Sequence, residues 1–216
     1  ACGATIAASA PTVTLTKLDD RVRVEIGGQL FTEYIFKGAS RPYCYPILAT
    51  DGTSLVRDFP MKQTAGEDTD HPHHRALMFA HSNANQVDFW NEGTSGTKFP
   101  KGSTVHDGFV ETSSGSVGVI RTRNRWVAPD GVQMAADETT IRFHGGADSR
   151  MIDYEVTIKA LEDHLNELER CDMLEKNDRW PYGADIFAKF TVPVAIEHLQ
   201  KESKQRSEEH TSELQS

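Results

Sequence analysis

The stretch Arg21-Val-Arg-Val-Glu-Ile-Gly-Gly-Gln-Leu-Phe-Thr-Glu-Tyr-Ile-Phe36 sets the reading of the whole chain. Val22, Val24 and Ile26 alternate with Arg21, Arg23 and Glu25. That period of two places apolar groups on one face of a strand and charged groups on the other. Gly27-Gly28 follows, and a Gly pair between two such runs is a hairpin turn. The same habit extends outward in both directions. Val13 and Leu15 alternate with threonines, and the stretches 104–112, 116–127, 132–143 and 150–160 repeat it. Between them lie Ser113-Ser114-Gly115, Pro129-Asp130-Gly131 and Gly145-Gly146. Short alternating strands separated by Gly, Pro and Asp turns predict an all-β domain over residues 12–160, an antiparallel β-sandwich. Strands are expected near 12–18, 21–26, 29–36, 104–112, 116–127, 132–143 and 150–160.

Two regions break the pattern. Residues 50–103 are irregular and polar, and long irregular segments on a β scaffold are where binding sites sit. After Ala160 the period changes. Leu161, Leu165, Leu168, Cys171 and Met173 fall at helical spacing, and residues 185–204 suit a second helix that Pro193 must end or kink. Residues 161–205 are therefore expected to be a C-terminal helical appendage, either part of the same gene or chimeric with the domain before it. Residues 206–216 match the conceptual translation of a common sequencing adapter and are set aside as an adapter-derived tail. At the other end, residues 1–11 close on Ala8-Ser9-Ala10 and Pro11, like the end of a secretory signal. Cys2-Gly3 offers a lipid-attachment cysteine as the alternative. Either reading implies export, to a secreted or periplasmic location.

Charge narrows the classes of partner. The net charge is −9, which disfavours nucleic acid, because phosphate binding needs clustered Lys and Arg. Residues 1–160 hold 16 Lys and Arg against 19 Asp and Glu, whereas 161–216 hold 7 against 13. No run reaches the length of a membrane-spanning helix, so no membrane span is expected. The three cysteines lack zinc-finger spacing, and Cys44 reads as a buried thiol.

The chemistry concentrates in Asp70-His71-Pro72-His73-His74-Arg75, followed by His81, Asp88 and Trp90. Five of the nine histidines fall between residues 71 and 106. In an extended segment His71 and His73 project to one side and His74 to the other. Two imidazoles beside a carboxylate suit proton transfer near neutral pH, or a divalent metal as cofactor. Otherwise the histidines bond loop backbone while Asp70 and Arg75 pair with each other. Arg41-Pro42-Tyr43-Cys44-Tyr45-Pro46 suits a sugar-sized pocket, since aromatic faces stack on sugars and Arg donates in-plane hydrogen bonds. Catalytic candidates are thus His71, His73, Asp70 and His106. Ligand-binding candidates are Arg41, Tyr43, His74, Arg75, His81, Asp88 and Trp90.

Phe31–Gly38, Arg41–Pro46, Asp51–Ser54, Arg57–Pro60, Asp70–Arg75, Phe79–His81, Asn85, Asp88–Trp90 and Ile152–Tyr154 together resemble the secreted family labelled "methane oxygenase PmoA-like". The resemblance covers roughly residues 12–160. It implies an exported all-β protein, and its label implies a metal-dependent oxygenase. The nearest analogy of fold is the mutarotase-like supersandwich, of which this domain would be a fragment. Three functions follow as expectations: carbohydrate-related binding with acid–base or hydrolase-type chemistry, a non-catalytic glycan-binding module, and metal-dependent oxidation. A small molecule or glycan is the expected ligand.

Overall fold

The computed structural model describes residues 11–93, 98–146 and 148–160, and the backbone of 188–195. Its ten strands form two antiparallel sheets. The first runs β1 (Val13–Lys17), β2 (Arg21–Ile26), β3 (Gln29–Ile35), β4 (Tyr43–Cys44) and β5 (Leu77–Met78), paired in that order. The second contains β6 (Ser103–Ser113), β7 (Val117–Val127), β8 (Gln133–Gly145), β9 (Arg150–Ala160) and β10 (Ala188–Ala195), also paired in order. Within each sheet every strand therefore pairs with its sequence neighbour, through short hairpins at β1–β2, β2–β3, β6–β7, β7–β8 and β8–β9 and through long connections at β4–β5 and β9–β10. Gly27 and Gly28 both take positive φ, 59° and 78°, the geometry a two-residue turn demands.

The alternation becomes a core between the sheets. Val22, Val24, Ile26, Phe31 and Tyr34 of the first sheet meet Ile120, Ile141, Phe143, Ile152, Val156 and Ile158 of the second. Phe31 and Phe143 touch edge-on across the interface at 6.2 Å between ring centroids. The hairpin β6–β7 is stitched to β1, where Val13 and Gly115 exchange backbone hydrogen bonds of 2.7 and 3.0 Å. Residues outside the strands join the same core: Ile47, Ala84, Val87 and Phe89 are buried in it. Phe89 lies 4.9 Å from Trp126 of β7. The irregular segment between β3 and β6 is thus anchored to the scaffold by its own apolar residues. Cys44 is a fully buried free thiol, and burial pushes its pKa up to about 12.

The C-terminal expectation changes in one place. Residues 188–195 form strand β10, not part of a helix, and pair with β9 from Ala188↔Ile158 to Ala195↔Met151. The local sequence explains it: Phe190, Val192 and Val194 alternate with Lys189, Thr191 and Pro193. β10 lies at the edge of its sheet, where a proline is tolerated. The other expectations about 161–205, the signal-like residues 1–10 and the tail 206–216 lie outside the described residues. Among the described residues no helix is long and apolar enough to cross a membrane.

Candidate functional site

Residues 71–74 do not extend. The His74 N–H donates to the His71 carbonyl at 3.0 Å, and His71 takes a positive φ of 46°. This closes a tight turn. The expected split, with His74 opposite its neighbours, is therefore replaced by a cluster of three imidazoles. The rings of His71 and His74 stack at 4.9 Å, His73 and His74 meet at 4.5 Å, and His71 and His73 at 5.7 Å. Trp90 packs 6.1 Å from His74 and 6.4 Å from His73 and is 38% exposed.

A guanidinium holds the turn. Arg57 donates to Asp70 Oδ1 at 2.7 Å and to the backbone carbonyls of Asp70 and His71, both at 2.8 Å. The other carboxylate oxygen of Asp70 lies 2.6 Å from His71 Nδ1. The arm that carries Arg57 is itself braced. Glu67 accepts the N–H groups of Asp58 and Phe59, and Asp58 accepts Tyr45 Oη, Lys62 Nζ and Thr64 Oγ1.

Beside the imidazoles lies a second group. Glu92 accepts Arg75 Nε at 3.0 Å, Arg75 Nη2 at 2.8 Å and Ser40 Oγ at 2.6 Å. Arg41 sits 3.8 Å from the same carboxylate. The Arg75 guanidinium also lies 5.5 Å over the Tyr43 ring. Arg41, Tyr43 and His73 are all buried. Arg41 Nη2 and His73 Nδ1 are buried with no hydrogen-bond partner among the described residues. A cleft of about 460 Å³ opens here, lined by Gly38, Ala39, Ser40, Arg75, Asn91, Glu92, Gly93, Lys101, Gly102 and Ser103.

The electrostatics follow from this packing. Burial, then the neighbouring imidazoles and Arg41, hold His73 below the ordinary His value of 6.5. Burial, then His71 and Arg57, do the same for His74. Both rings are therefore neutral at pH 7 and able to accept a proton. Burial pushes Glu92 upward, but the bonds from Arg75 and Ser40 and the two cations outweigh it, and its pKa is lowered.

The structure thus unites Asp70, His71, His73, His74 and Trp90, and sets Arg41, Tyr43 and Arg75 alongside them. Asp70 pairs with Arg57 and Arg75 with Glu92, so the expected Asp70–Arg75 pair does not form. Asp88 is fully buried and shapes a turn: it accepts the N–H groups of Trp90 and Asn91 and the Asn91 side chain. His106 stands apart on β6, packed against Phe36 at 4.7 Å and Phe109 at 4.5 Å. Among the described residues no ring contact links His81 or His106 to the three clustered imidazoles. Nor do three His, Cys, Asp or Glu side chains converge there in a metal-ligating group. Arg57, Ser40 and Glu92 are not among the site residues expected from the sequence, where Arg57 figures only in the stretch Arg57–Pro60. Glu92 carried a signal, a carboxylate two residues beyond Trp90 in the same irregular segment.

Searches among curated proteins and among solved structures found no match. The model of the Family of unknown function (DUF6807) matches residues 21–172, which include β2 to β9 and the clustered site, and the chain belongs to that family.

Proposed function

We propose that this loop face binds a carbohydrate-class ligand and performs acid–base, hydrolase-type chemistry on it, in a protein that is exported. One observation carries the reading. Three imidazoles cluster with the half-exposed Trp90, and Arg75 and Asn91, the chain neighbours of His74 and Trp90, line a cleft together with Glu92 and Ser40. An indole face suits the apolar face of a sugar ring. Guanidinium, carboxylate and hydroxyl groups suit its hydroxyls. Neutral imidazoles supply proton acceptors at pH 7. The exposed ring of Trp90 also favours a second reading, a glycan-binding module without catalysis.

Turnover of a panel of neutral and acidic glycosides by the full chain separates the two. The acid–base reading expects at least one glycoside to be turned over. His73→Gln or His74→Gln should then lower kcat by about 100-fold, the scale of one lost acid–base group. Because both imidazoles titrate below 6.5, activity should persist at pH 6.5 and fall only in more acid solution. Saturable binding with no turnover across the panel would leave the binding module alone.

A further inference from the structure

The three imidazoles are not equivalent, and their difference assigns roles. His71 is the one whose Nδ1 faces a carboxylate, Asp70 Oδ2 at 2.6 Å. The Asp70 carboxyl is held below its ordinary range, chiefly by Arg57 and then by His71 itself. An ionised carboxylate can only accept, so the Nδ1 of a neutral His71 must carry the proton. That leaves the lone pair on Nε2. Both side chains are 55% exposed, so the ring is accessible from solvent. Arg57 then fixes the pair with three bonds, one to the carboxylate and two to the carbonyls of Asp70 and His71. The backbone carbonyls bound this way belong to the residue with positive φ and its predecessor, so the guanidinium holds the turn in the shape that sets the ring.

We propose that His71 Nε2 is a further proton-accepting atom of the site, beside the neutral rings of His73 and His74, that Asp70 orients it, and that Arg57 is a positioning residue for the pair. This assignment deepens, and rests on, the acid–base reading above. In the step, a substrate hydroxyl O–H bond breaks, Nε2–H forms, and the electron pair stays on the oxygen. The positive charge gained by His71 is stabilised by the Asp70 carboxylate.

The test needs no sugar, so its outcome is separable from that of the carbohydrate reading. In the full chain labelled with ¹⁵N-histidine, above the imidazole titration range, the His71 ring is expected as the Nδ1–H tautomer, its signals identified by their loss in His71→Gln. Asp70→Ala should shift it to the Nε2–H tautomer, and Arg57→Lys should shift it part of the way, with the amide spectrum otherwise retained. Acylation of His71 by diethyl pyrocarbonate at neutral pH should slow several-fold in Asp70→Ala. An Nε2–H tautomer in the wild-type chain overturns the proposal, and this holds even if a variant fails to fold. So does an acylation rate that Asp70→Ala leaves unchanged.

Discussion

Asp137 places a carboxyl group inside the sandwich, 5% exposed. It accepts three neutral donors: Trp126 Nε1–H at 2.8 Å, Asn124 Nδ2 at 2.7 Å and Thr139 Oγ1 at 2.8 Å. Burial outweighs those bonds and raises its pKa above 3.8. A raised acid binds more protons folded than unfolded. Its contribution to stability is therefore full below 3.8 and is lost as pH rises through the folded value. The gap in stability between wild type and Asp137→Asn should shrink or turn in favour of the variant across that rise, read by urea unfolding at a series of pH values. Asp137→Leu strands the donors of Trp126 and Asn124 and should cost on the order of 2 kcal/mol at neutral pH. Glu92 has the opposite sign. Its folded pKa lies below 4.5, so its contribution is present above 4.5 and lost as pH falls. Glu92→Gln leaves Arg41 and Arg75 without their carboxylate and should destabilise by roughly 3 kcal/mol at neutral pH. The same unfolding series should show that the variant has lost part of the wild-type acid sensitivity. An unchanged free energy in the variant would contradict the pairing.

At the scale of elements, the strands with a clear period were legible. The runs expected at 21–26, 116–127 and 150–160 appear as Arg21–Ile26, Val117–Val127 and Arg150–Ala160. Their side chains alternate between core and solvent, and that alternation is written in the residues. β4 and β5 were not legible, because two residues carry no period. At residues 71–74 a turn stands in place of the extended segment expected from the sequence. Pro72 favours extended geometry in its predecessor, but Arg57 and the His74 N–H, both bound to the His71 carbonyl, hold His71 at positive φ. The residue types of the site could be read, whereas the partners Arg57 and Glu92 depend on long-range folding. Element packing gives its own prediction at Gly118 of β7. A Cβ there would lie 2.5 Å from Val13 Cγ1 and 2.6 Å from Leu15 Cδ1 of β1. Gly118→Ala should lower stability by about 1–3 kcal/mol, seen as a lower Tm. A wild-type Tm would mean that β1 does not pack over β7 this closely.

Across the whole molecule, the two sheets form one scaffold, and the site segment is built into it. Arg150 of β9 reaches across to the carbonyls of Leu30 and Leu48, both at 3.0 Å, and so ties the second sheet to the first. Phe89, three residues before Glu92 and next to Trp90, is buried against Trp126. The loop face is therefore held by the core, which is what a preorganised site requires. The measurement that tests this account most directly is a ¹H–¹⁵N titration of the full chain with a panel of neutral and acidic sugars. The account predicts saturable shifts for at least one sugar, concentrated at the Trp90 indole N–H and the amides of His71, His73, His74, Arg75 and Glu92. Saturable shifts confined to other parts of the surface, or none with any sugar in the panel, would contradict it.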